Sequence, residues 1–131
     1  HPPPLHVRPR TGAVAPLAFD GAAFGPALGI ADGLRLEARR WSLEPGDRLL
    51  LFTDGLIELT DAAGRDYGDG PFVRAVQAHA AEPLERLLEA VVADAQAFAG
   101  RSDFEDDICL VGVELAAWGE PSSAHADVRW G

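Results

Sequence analysis

Between Pro83 and Phe98, the residues Leu84, Leu87, Leu88, Val91, Val92, Ala95 and Phe98 recur at helical spacing. That pattern gathers them on one face of an α-helix, and such a face has to be buried. Pro83 suits the first turn, where its missing N–H is no loss, and Gly100 suits the stop. A short apolar run lies on either side of this helix, Leu49 to Phe52 before it and Ile108 to Val113 after it. Both are too short for helices and read as strands, the second continued by Glu114 and Leu115. The unbroken apolar character of Leu49 to Phe52 predicts burial on both faces.

Weaker signals fill in the rest. His1 to Pro4 is extended, because each proline fixes its own φ and restricts its predecessor. Leu5 to Arg8 reads as a strand, Pro9 to Gly12 as a turn, and Ala13 to Phe19 as the returning strand. Asp20 to Gly33 reads as a loop around Ala27, Leu28, Gly29 and Ile30. Leu34, Leu36 and Ala38 alternate with charged residues, the period of a half-buried strand. Glu44-Pro45-Gly46-Asp47 is a turn, and Asp61 to Gly70 a loop. Pro71 to Ala81 reads as a second helix with Phe72, Val73 and Val76 on its apolar side. Asp103 to Asp107 is an acidic connector. From Ala117 onward the periodicity dissolves, so residues 117–131 are expected to form a loose tail.

The 131 residues suit one domain, which can bury about two-thirds of its unfolded surface. The formal net charge of −10, with arginine the only basic side chain besides histidine, excludes a general nucleic-acid footprint. It also disfavours anionic membrane surfaces. No apolar run approaches the roughly 20 residues of a membrane span, and no signal peptide opens the chain, so a cytoplasmic location is expected. Cys109 is the single cysteine, which rules out an internal disulfide. The chain has no methionine and opens on His1, so it is expected to be part of something longer.

Two acidic positions stand out. Asp54 follows one apolar strand, and Asp106-Asp107 precedes the other. If the strands are antiparallel neighbours, these carboxylates converge at one edge of the sheet. Converging carboxylates repel, and a divalent cation relieves the repulsion. Oxygen-only ligands suit Mg²⁺ or Mn²⁺. The plainer alternatives are that Asp54-Gly55 is an ordinary turn and that the Asp-rich connector is solvated.

The order of motifs adds a resemblance. Leu43 to Glu58 is similar to the signature Leu-x-Pro-Gly-Asp-x-Leu-Leu-Leu-Tyr-Thr-Asp-Gly-x-x-Glu, with Phe52 for tyrosine. His1 to Pro4 resembles a Gly-His-Pro-Pro-Pro stretch without its glycine. Ala27 to Gly29 resembles Pro-Leu-Gly, and Gly64 to Gly68 resembles Gly-x-x-Phe/Tyr-Gly. Asp106 to Cys109 resembles Asp-Asp-Ile-Thr, with cysteine for threonine. These motifs, from His1 to about Leu115, resemble the metal-dependent protein serine/threonine phosphatases of type 2C, in the bacterial branch of the stage II sporulation phosphatase.

The resemblance implies an α+β fold, part of a four-layer α-β-β-α sandwich with mostly antiparallel sheets and two adjacent helices. It implies Asp54 and Asp106 as catalytic metal ligands, with Gly55 and Asp107 in support. Two Mn²⁺ or Mg²⁺ ions are expected in a complete domain. The implied reaction is hydrolysis of phosphoserine or phosphothreonine by a metal-activated water. The implied substrate is a phosphorylated protein, in this branch often an anti-anti-sigma regulator. Cys109 is read as a small hydrophobe within its strand, and His6, His79 and His125 as surface or structural residues.

The family's Gly-Asp and Gly-His-Gly motifs do not occur here, and Asp32-Gly33 and Asp69-Gly70 fall in predicted loops. Residues 1–116 are therefore expected to be the C-terminal portion of a phosphatase domain, with weak metal binding and poor turnover alone. The alternatives are a pseudophosphatase module that binds a protein partner without catalysis, and a hydrolase of small phosphate esters.

Overall fold

The computed structural model describes residues 2–17, 38, 40–102, 104 and 107–117. Strands β1 (Leu5–Arg8) and β2 (Ala13–Pro16) form a hairpin. Its turn closes through the Gly12 N–H, which donates to the Arg8 carbonyl over 2.9 Å. β3 (Arg48–Phe52) and β4 (Leu110–Glu114) complete one antiparallel sheet in the order β2-β1-β3-β4. Leu5 stands opposite Leu50, and Phe52 opposite Leu110. Between β3 and β4 come a single 3-10 turn (Asp54–Leu56) and two helices, α1 (Asp69–Ala78) and α2 (Leu84–Ala99). The fold is α+β.

Side chains alternate across a strand, so one face of this sheet carries Leu5, Val7, Leu50 and Phe52. All four are buried, together with Phe72 and Val76 of α1 and Leu87, Val91 and Ala95 of α2. The remaining α2 stripe residues, Leu84, Leu88, Val92 and Phe98, are half-buried against this core. α2 approaches β4 at Gly112, where a Cβ would come within 2.7 Å of Leu84 Cδ1. The helix stops at Gly100, whose φ of 68° is one that side chains rarely adopt.

Arg48 is buried at the junction of these elements. Its Nε donates to Glu114 Oε2 over 2.6 Å, and its Nη1 donates to the Ala80 and Glu82 carbonyls over 3.1 and 2.7 Å. One guanidinium thus ties β3 to β4 and to the link between the helices. No described helix is long and apolar enough to cross a membrane.

Several expectations need correction. β3 is not buried on both faces: Leu51 is 39% exposed, and its neighbours Val111 and Val113 on β4 are 46% and 45% exposed. α1 and α2 cover only the face that carries Leu50 and Phe52. Asp69 and Gly70 are not loop residues but open α1. Gly68, at φ 71°, turns the chain into the helix, and an aspartate in the first turn opposes the positive end of the helix dipole. Pro83 is the residue before α2, with extended ψ, rather than part of its first turn. Cys109 is exposed and precedes β4, so it is not a core residue. The strand expected around Leu34 and Leu36, the loop from Asp20 to Gly33, His125 and all of the tail past Ala117 lie outside the described residues.

Candidate functional site

The site is built where the β3–β4 ladder ends. Beyond the Phe52–Leu110 pair, Thr53 and Cys109 face one another. In an antiparallel ladder such residues exchange two backbone hydrogen bonds. Here only one is of that kind: the Thr53 N–H donates to the Cys109 carbonyl over 3.0 Å. The Cys109 N–H donates instead to Thr53 Oγ1, over 2.9 Å. The Thr53 carbonyl has turned away and accepts the Leu56 N–H at 3.2 Å, which starts the 3-10 turn. The Thr53 hydroxyl also donates to the Asp107 carbonyl over 3.3 Å.

Asp54 is the first residue of that turn, and its carbonyl accepts the N–H groups of Ile57 and Glu58, both at 2.8 Å. Its side chain is exposed, with Oδ1 accepting the Gly55 N–H at 3.2 Å. Gly55 is buried within the turn. Asp107 is exposed on the facing connector, and Asp106 lies outside the described residues. The antiparallel pairing expected of the two apolar strands is present, and it sets Thr53-Asp54 beside Asp107-Cys109.

A groove of about 430 Å³ opens next to Asp54. Phe52 and Phe72 line it, with ring centroids 4.5 Å apart, and Pro2 and Pro3 contribute from the N-terminal stretch. The acidic residues Asp54, Glu58 and Asp69 line it as well, and no basic residue does among the described residues. Glu58 belongs to the signature quoted above but drew no assignment there, although its position four residues after Asp54 was a usable signal. Asp69 was masked by its setting, because Asp and Gly beside one another read as a loop.

Oxygen donors of this kind fit Mg²⁺ or Mn²⁺ in chemistry. They do not suffice in number: among the described residues no three His, Cys, Asp or Glu side chains are grouped to hold an ion. Neither histidine among the described residues takes part. His6 is buried against Asp47, and His79 pairs with Glu82.

A family model described as Stage II sporulation protein E (SpoIIE) matches residues 1–116. No curated protein and no solved structure matches the chain. The matched span includes Asp54, Asp106 and Asp107. The family is one of sporulation phosphatases of the type 2C kind, which generally use Mg²⁺ or Mn²⁺ and act on phosphoproteins. With the match covering most of its length, the chain belongs to the stage II sporulation protein E family.

Proposed function

We propose that this chain carries part of the active site of a phosphoprotein phosphatase, with Asp54 and Asp106 as metal ligands and Gly55 and Asp107 supporting them. The observation that carries the reading is the end of the β3–β4 ladder: within a chain of this family, it sets Asp54 beside the connector that bears Asp107. In a complete ligand set that included Asp54 and Asp106, divalent cations would supply an activated water and neutralise phosphate charge. The chain's own part is to present carboxylates from a rigid strand end, close to an apolar groove. Asp54, Glu58 and Asp69 would repel a phosphate ester unless a cation lay between, so substrate binding is expected to depend on metal. The substrate is a phosphoserine or phosphothreonine protein, of the anti-anti-sigma type by resemblance. These 131 residues contain no Gly-His-Gly, and their two Gly-Asp pairs, Gly46-Asp47 and Gly68-Asp69, belong to the turn before β3 and the start of α1, which supports an incomplete ligand set.

The test is Mn²⁺ binding followed by electron paramagnetic resonance, with hydrolysis of a phosphoserine peptide measured alongside. The unaltered chain should bind Mn²⁺ weakly, and Asp54→Asn should abolish that binding without loss of helix signal. Unchanged binding in Asp54→Asn would refute the assignment. Efficient Mn²⁺-dependent turnover by the 131 residues alone would refute the incompleteness. Binding of phosphopeptide without turnover, even when a segment bearing the Gly-Asp and Gly-His-Gly motifs is supplied, would favour the pseudophosphatase reading.

A further inference from the structure

The groove beside Asp54 is poorly suited to a phosphate group. Its acidic residues repel an anion, and no basic residue lines it among the described residues. Its prolines, Pro2, Pro3 and Pro16, have no backbone N–H to offer one. Phe52, Ile57, Phe72 and Val73 make the rest mostly apolar, and the volume of about 430 Å³ lies within the roughly 300–1,000 Å³ usual for ligand clefts.

Two of the acidic residues stand on backbone that is fixed before anything binds. The Glu58 N–H donates to the Asp54 carbonyl over 2.8 Å. On either side of Glu58, the Ile57 and Leu59 carbonyls accept the N–H groups of Gly68 and Tyr67, over 2.9 and 2.8 Å. Glu58 is thereby fastened to the segment that leads into Asp69. Both side chains are exposed, and among the described residues neither forms an ion pair. Glu44, Asp61 and Glu114, by contrast, are each matched with an arginine.

We infer that this groove binds a protein segment in which a bulky apolar residue stands within two residues of a lysine or arginine. The apolar side chain enters against Phe52, Phe72 and Val73, and the cation meets Glu58 and Asp69. A cation alone would have no use for the aromatic wall. An apolar group alone would crowd two carboxylates without giving them a partner. A peptide carries both groups a short step apart. The inference deepens the phosphatase reading and rests on it for identifying this segment as part of the substrate, but the binding itself needs no metal ion.

The test titrates unphosphorylated peptides into the whole chain in EDTA and follows backbone amide shifts by nuclear magnetic resonance, which reads weak binding directly. The probe peptide holds one leucine and one arginine two residues apart among serines and glycines. Two companions change its leucine to serine or its arginine to glutamine. The probe should shift the amides of Glu58, Phe72 and Val73. Losing the leucine should weaken binding by about tenfold or more, and losing the arginine by about threefold to tenfold. Glu58→Gln combined with Asp69→Asn keeps shape and removes charge. It should weaken the probe by the same factor as the arginine change and leave the glutamine peptide unaffected. Val73→Ser should weaken the probe without altering charge.

Equal affinity for the leucine and serine peptides would overturn the inference, because the net charge of −10 would then explain the binding. Absence of probe binding, shifts confined to residues away from the groove, or full affinity in either variant would overturn it as well. The phosphatase reading would survive each of these results. It fails on a separate measurement, Mn²⁺ binding unchanged by Asp54→Asn.

Discussion

His6 and Asp47 form a buried pair, with Nε2 of the ring 2.7 Å from Oδ2 of the carboxylate. His6 lies in β1 and Asp47 immediately precedes β3, so the contact fastens two neighbouring strands. The same oxygen accepts the Glu44 N–H at 3.0 Å, which closes the turn before β3. That N–H is the largest influence holding the Asp47 carboxyl below its ordinary range. Burial opposes it, while His6 and Arg8 add to it.

Acid should therefore loosen the fold through Asp47. A carboxyl with a lower pKa in the folded state stabilises the fold above its unfolded value of about 3.9. The contribution is lost as pH falls through the folded value. Thermal unfolding followed from about pH 6 to about pH 3 should show a falling Tm, with a shallower fall in Asp47→Asn. Equal slopes in the two chains would assign the acid limb to other groups.

Tyr67 offers the opposite sign. It is the single tyrosine, it is buried, and its hydroxyl donates to Asp94 Oδ2 over 2.7 Å. Burial first, and then Asp94, push its pKa above the usual value. Its stabilising contribution is complete below about pH 10 and is lost as pH rises through the folded value. Absorbance of phenolate should therefore stay flat past about pH 10 and rise only with unfolding. Titration of Tyr67 near pH 10 in the folded chain would contradict this.

Arg48→Met should lower stability by about 2–4 kcal/mol, measured by urea unfolding. The loss comes from stranding the buried carbonyl of Ala80 along with that of Glu82. Arg48→Lys should recover only part of it, because an ammonium cannot reproduce the spread of donors from Nε to Nη1. Full stability in Arg48→Met would show that water satisfies those carbonyls.

Gly112→Ala places a methyl where Leu84 Cδ1 would be 2.7 Å away. The helix or the strand has to shift, at about 1–3 kcal/mol. Combining Gly112→Ala with Leu84→Ala should cost less than the two single changes added together. Strict additivity would mean that the two sites do not touch.

The long-period signals were the legible part of the fold. The α2 stripe marked a helix because seven apolar residues agree on one face, and Gly100 ends it for the reason its sequence position suggested. The short run of β3 identified a strand but overstated its burial, since apolar character at Leu51 does not reveal which face is covered. Asp69-Gly70 misled because neither residue favours helix interiors, although both are tolerated in a first turn. The role of Arg48 had no local signature, for its partner Glu114 lies 66 residues away. At the site, Asp54 was legible as the residue after a strand. The part played by Thr53 was not, because it exists only once two distant segments are paired.

That pairing also orders events in time. A ribosome releases Asp54 and both helices before it releases β4, and among the described strands β4 pairs only with β3. Joining segments so far apart along the chain is slow relative to forming the hairpin or the helices. A nascent polypeptide ending before Asp107 would have its hairpin and helices, but no partner for the hydroxyl of Thr53. The seat beside Asp54 would then appear only when β4 docks, so translation must pass β4 before the acidic segments can meet.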